Sequence, residues 1–178
     1  MSSVAERLRA YFVDHGVAYR VIEHQPAATA EEYHAVLGTR YEQMPKAVFF
    51  RYQVAPGERF AILALQAHKR ADLEQVAKLL NAHEVRLGSR EQLREATGCE
   101  FGELPPVGGL FGLPLLFDQD LLAEDELFFN AGSLTSSMAV SPRALEALER
   151  PIRYRADGRR RLVDRLEGAR RAIMGGRR

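Results

Sequence analysis

Apolar and polar positions along this chain alternate between a helical period and a strand period, and the switches divide it into short elements. From Ser3 to His15, Val4, Leu8, Tyr11 and Phe12 share one helical face, Ser3 and Glu6 have capping-box spacing, and Gly16 stops the pattern. Ala18 to Glu23 reads as a strand. Thr29 and Glu32 repeat the capping-box spacing ahead of a second helix that ends at Gly38. Two β-rich runs, Ala47 to Tyr52 and Arg59 to Leu65, flank Ala55-Pro56-Gly57-Glu58 and predict an antiparallel hairpin. Leu73, Val76, Ala77 and Leu80 then mark a helix over 72–80, Glu84 to Leu87 a strand, and Ser89 to Thr97 a helix capped through Gln92 and closed by Gly98.

Between Gly98 and Pro114 the periodicity gives way to glycine and proline. Strand patterns stand on both sides of this stretch, at Leu113 to Asp118, Glu126 to Asn130 and Thr135 to Val140, so the loop lies inside a domain, where a scaffold presents ligand contacts. Ser141-Pro142 opens a further helix. Helices interleaved with hairpin-like strands predict an α+β fold.

With 178 residues and 46% apolar content, the chain supports one domain with a packed core. No apolar run approaches the ~20 residues of a membrane span, and a soluble, cytoplasmic protein without membrane partners is expected. Cys99 is the single cysteine, so no internal disulfide forms. The net charge of +1 hides an asymmetry: residues 150–178 hold eleven Arg against Asp157, Asp164 and Glu167, a net +8, which leaves −7 for the remainder. The extension, residues 151–178, is read as a basic helix beside a body of residues 1–150. It either meets a polyanion or is a solvated terminal helix.

No zinc spacing, phosphate-binding glycine loop or nucleophile elbow is present, and neither metal nor cofactor is expected. The five histidines are scattered, one per element, as suits capping or surface roles. Cys99 has no nearby histidine to activate it. Lys46 stands out at the mouth of an apolar strand, in Pro45-Lys46-Ala47-Val48-Phe49-Phe50, where an ammonium either points into a pocket or is solvated.

In chain order, His24-Gln25-Pro26, Thr29-Ala30-Glu31-Glu32, Lys46, the Gly102 to Pro106 loop and Asn130-Ala131-Gly132-Ser133 resemble the YbaK and prolyl-tRNA-synthetase editing-domain deacylases over roughly residues 1–150. The resemblance implies a mixed, largely antiparallel sheet curled into a partial barrel and flanked by helices. It implies a hydrolase that clears mischarged tRNA in trans. Lys46 would meet the terminal phosphate or ribose, and the backbone from Gly102 would hold the ester carbonyl and terminal adenosine. His24, Thr29, Pro105, Pro106, Asn130, Gly132, Ser133 and Ser137 would line or support the substrate site. The substrate's own ribose hydroxyl would help activate the attacking water. The implied partners are the acceptor end of tRNA and prolyl-tRNA synthetase, for a monomer or homodimer.

Departures from the family pattern limit the amino acid. Cysteine-specific relatives carry an aromatic residue where this chain has Ile22 and an acid near Ser137; alanine-specific ones carry Asn where it has Ala47 and His where it has Asn130. A pocket for Ala, Ser, Thr or Cys is what remains. A catalytically silent tRNA-binding module of the same fold and a hydrolase of unrelated small esters are the alternatives.

Overall fold

A computed structural model describes residues 1–156. Helices α1 (Val4–Asp14), α2 (Ala30–Leu37), α3 (Leu73–Leu80), α4 (Arg90–Thr97) and α5 (Pro142–Glu149) interleave with strands β1 (Tyr19–Glu23), β2 (Pro45–Val54), β3 (Gly57–Gln66), β4 (Glu84–Leu87), β5 (Leu115–Asp118), β6 (Leu127–Asn130), β7 (Ser136–Val140) and β8 (Ile152–Tyr154). The capping boxes at Ser3, Thr29 and Ser89 all form, each with its side chain accepting from the third helical N–H. None of the described helices is long and apolar enough to cross a membrane.

The expected mixed, largely antiparallel architecture is present, its strands divided between two sheets that do not close into a barrel. One has the order β1-β7-β6, all antiparallel; the other has the order β4-β2-β3-β5-β8, with β5 parallel to both β3 and β8. The body of the fold thus reaches Tyr154, and the arginine-rich stretch from 157 lies outside the described residues.

Alternation along the strands explains the layers. Phe49, Ile62, Ala64, Leu115 and Phe117 face a core shared with Leu127, Phe129, Met138 and Val140 of the other sheet and with Leu8 and Phe12 of α1. Phe50, Ala61, Leu63, Leu65 and Leu116 face the opposite way, against Val76 of α3 and Tyr154. The unbroken apolar run Ala61 to Leu65 is therefore a strand buried on both faces. The hairpin register pairs Pro45 with Gln66 and Lys46 with Leu65, fixing where the end of β3 leaves the sheet relative to the start of β2.

The interior loop is pinned from behind. Glu149, the last residue of α5, accepts the N–H groups of Gly108 and Gly109 at 2.8 and 2.9 Å through one carboxylate oxygen and the Tyr11 hydroxyl at 2.9 Å through the other. Helices α1 and α5 thereby hold one end of the glycine-rich stretch in place.

Candidate functional site

A cleft of about 260 Å³ opens where the N-terminus of α2, the start of β2, the interior loop and the end of β6 meet. Its walls are mostly small or apolar, with Ala28, Ala30, Ala47, Ala67, Met44 and Phe128 among them. Of the residues expected at the site, Thr29, Lys46, Gly102 and Asn130 line it.

Lys46 is brought there by strand pairing. Pro45 is buried at the first position of β2, Lys46 is half-buried, and the alternation of the strand turns its stem along the cleft wall. Burial, and then the nearby Arg70 charge, lower the Lys46 pKa below its ordinary value, because both disfavour the ammonium. Among the described residues this ammonium has no hydrogen-bond or ion-pair partner. A cation held in this way can pair with an anionic ligand.

Asn130 ties three segments together. Its Nδ2 donates to the carbonyls of Ala27 at 2.7 Å and Gly102 at 2.8 Å, and its Oδ1 accepts from Ser137 Oγ at 3.2 Å. Ser137 in turn meets His24 Nε2 at 2.6 Å. His24 and Ser137 thus stand behind the cleft wall and support Asn130. The backbone adds to this knot, with His24 N–H donating to Thr135 O, Ala27 N–H to Leu134 O and Gly132 N–H to Glu103 O.

Thr29 has two roles. Its hydroxyl accepts the Glu32 N–H, while the Glu32 carboxylate accepts those of Ala28 and Thr29, holding its pKa below the usual range. The Thr-Xaa-Glu-Glu motif therefore builds the cleft rim. Gly102 has φ +87°, and a Cβ there would stand 3.0 Å from the Ala28 carbonyl oxygen, so only glycine lets the two rims approach this closely. The Glu103 N–H is committed to the Glu100 carbonyl at 3.1 Å.

Pro105 and Pro106, within the loop, are buried and do not line the cleft. Gly132 also lies off the cleft, at φ +73°, where a Cβ would meet Val4 at 2.7 Å; it lets α1 close on the turn after β6. Ser133 accepts the Thr135 N–H within that turn. Cys99 is buried, and burial pushes its thiol up to about 11, which removes it from nucleophilic chemistry near neutral pH.

Tyr33 and Phe128 line the cleft without having been singled out from the sequence. The signal for Tyr33 was its position four residues after Thr29, on the same face of α2. Its buried hydroxyl meets no hydrogen-bond geometry; Ser137, close enough to act on it, is already engaged by His24 and Asn130. Burial dominates and raises the phenol's pKa.

The family model of the aminoacyl-tRNA editing domain matches residues 24–148. The chain is 31% identical over 138 residues to the multifunctional Ser/Thr-tRNA deacylase ProXp-y of Escherichia coli (strain K12), covering 75% of this chain and 80% of that protein. A solved structure proposed as a trans-editing enzyme for prolyl tRNA synthetase superposes with a TM-score of 0.74 at 27% identity, over 87% of this chain and 97% of the other. A hypothetical protein of known structure shares the fold with a TM-score of 0.76 at 21% identity, over 84% and 97%. With the cleft, the Lys46 ammonium and the Asn130 knot all inside the matched span, the chain belongs to the aminoacyl-tRNA editing domain family.

Proposed function

We propose that this protein hydrolyses, in trans, the ester that joins a small, wrongly attached amino acid to the 3′ end of tRNA. The observation that carries the reading is the half-buried Lys46 ammonium, without an anionic partner among the described residues, at a cleft of about 260 Å³ walled by alanines and Phe128. An aminoacyl-tRNA end supplies both complements: a phosphate for the cation and a small side chain for the cleft.

In this reading Lys46 binds the phosphate of the terminal nucleotide, and the edge held by Asn130 at Gly102 positions the ester. Water adds to the ester carbonyl carbon, the bond to the ribose oxygen breaks, and that oxygen leaves as the hydroxyl. Backbone N–H groups of the interior loop are suited to the oxyanion, and the neighbouring ribose hydroxyl to orienting the water. An activated ester requires no nucleophilic side chain, which is consistent with the inert Cys99. The substrate side chain is that of Ala, Ser, Thr or Cys, with Ser and Thr favoured by the likeness to the E. coli deacylase. Prolyl-tRNA synthetase is the synthetase whose errors we expect the protein to clear.

Incubating the protein with a panel of aminoacyl-tRNAs and following loss of the ester tests the proposal. Turnover confined to small amino acids on tRNA supports it. Binding without turnover would identify a silent tRNA-binding module, and cleavage of small esters at the same rate with or without tRNA would identify an unrelated esterase.

A further inference from the structure

The chain leaving β3 passes directly by the Lys46 end of β2, because Pro45 pairs with Gln66 and Lys46 with Leu65; Ala67, the next residue along, lines the cleft. Two anchors hold this exit segment. Lys69 turns inward with 7% exposure, its Nζ 2.7 Å from Asp118 Oδ2 and 2.6 Å from Asp120 Oδ2, while its N–H donates to Gln66 O at 2.9 Å. Three residues on, Asp72 caps α3, and its N–H donates to the Tyr154 hydroxyl at 2.9 Å. Arg70 lies between these anchors with its side chain exposed.

Two adjacent cations thus have opposite fates. The Lys69 charge is neutralised by two carboxylates within the fold. The Arg70 guanidinium forms no ion pair among the described residues, and its charge acts on Lys46 from a segment that begins at the cleft-lining Ala67. Like charges held together without a counterion oppose each other, so the arrangement is relieved when an anion enters between them. The geometry points to Arg70 as a second phosphate-binding residue of this site, gripping with Lys46 the phosphodiester on the 5′ side of the terminal ribose. The inference rests on the deacylase reading, since the aminoacyl ester and that phosphate sit on the same ribose. A guanidinium fork binds phosphate in two hydrogen bonds where an ammonium acts as a point charge, so Arg70 supplies orientation as well as attraction. It contacts neither the amino acid nor a base edge, and so adds affinity without selecting among them.

Arg70→Ala and Arg70→Lys, compared with the wild type for uncharged-tRNA affinity at several salt concentrations and for steady-state deacylation, test this. Arg70→Ala is expected to weaken tRNA binding about tenfold, to raise KM by more than it lowers kcat, and to flatten the salt dependence by roughly one phosphate contact. Arg70→Lys is expected to restore the salt slope but only part of the affinity. A correctly melting Arg70→Ala protein with wild-type affinity and slope would overturn the inference. If the wild type cleaves no aminoacyl-tRNA yet Arg70→Ala still loses affinity and slope, the deacylase reading fails while the phosphate contact stands.

Discussion

His24 Nε2 lies 2.6 Å from Ser137 Oγ although the two residues are 113 positions apart. Through Ser137 the contact continues to Asn130. The Asn130 amide nitrogen faces two carbonyls, so Oδ1 takes the Ser137 hydrogen, and the Gln25 carbonyl, 2.7 Å from His24 Nδ1, takes the hydrogen there. Ser137 thus stands between the His24 ring and the Asn130 amide and joins the two. What the network fixes is Asn130, and through it the Gly102 carbonyl at the cleft edge.

Ser137→Ala removes the middle of this chain in a fully buried position and strands the Asn130 oxygen. A loss of about 1–3 kcal/mol is expected from an unsatisfied buried polar group. Denaturant unfolding of Ser137→Ala, His24→Ala and the double variant measures it. Additive effects, with no coupling between the two positions, would show that the chain is not a unit.

Lys46→Ala is expected to lower kcat/KM tenfold or more with the fold intact, since a charge-assisted contact to phosphate contributes roughly 1.5–3 kcal/mol. Its pH behaviour follows from the lowered pKa. As pH rises through that lowered value the folded protein loses the ammonium, so phosphate binding and activity fall off below the ordinary lysine value of 10.5. Stability moves the other way: between the lowered folded value and 10.5 the unfolded chain binds more protons, so this group makes the fold more stable as pH rises. Lys46→Ala should abolish both trends. A pH–rate profile whose alkaline limb is the same in wild type and variant would remove Lys46 from the reaction.

The sequence carried the elements well because local chemistry dictated them. Capping boxes at Ser3, Thr29 and Ser89 and the alternation along β2 and β3 are short-range signals, and each formed at the expected place. The division into two sheets was not legible, since it depends on β5 joining β3 in parallel after an intervening 48 residues, from Ala67 to Pro114. Nor was the rank of the site residues. Asn130, Ser137 and His24 are separate letters in the chain, and only tertiary contact shows that two of them support the third from behind. Arg70 and Tyr33 carried no motif and gained meaning from what surrounds them.

Gly102→Val tests whether the interior loop is shaped for a ligand. At φ +87° a β-branched residue is strained, and its Cβ would press on the Ala28 backbone across the cleft rim. Because Gly102 is exposed, displacement of that rim should lower activity per folded molecule more than it lowers the melting temperature. A steep fall in melting temperature with unchanged activity per folded molecule would make Gly102 a structural turn residue and no more.

Removing residues 157–178 tests the arginine-rich stretch. The cut takes away eight Arg and three acids, a net +5, and leaves the remaining chain at −4. Phosphate contacts are made without regard to base sequence, so if the stretch meets RNA, its loss should weaken every tRNA about equally and reduce the salt slope by several contacts, against roughly one for Arg70→Ala. The preference among attached amino acids should not move if, as proposed, that choice is made at the cleft walls around Ala47, Phe128 and Asn130. Neutralising the acidic body through intramolecular ion pairs is the competing role for so many arginines, and it makes the opposite prediction. In that case the truncated protein keeps the wild-type salt slope for tRNA, and the loss shows instead as a lower melting temperature at low salt that added salt removes.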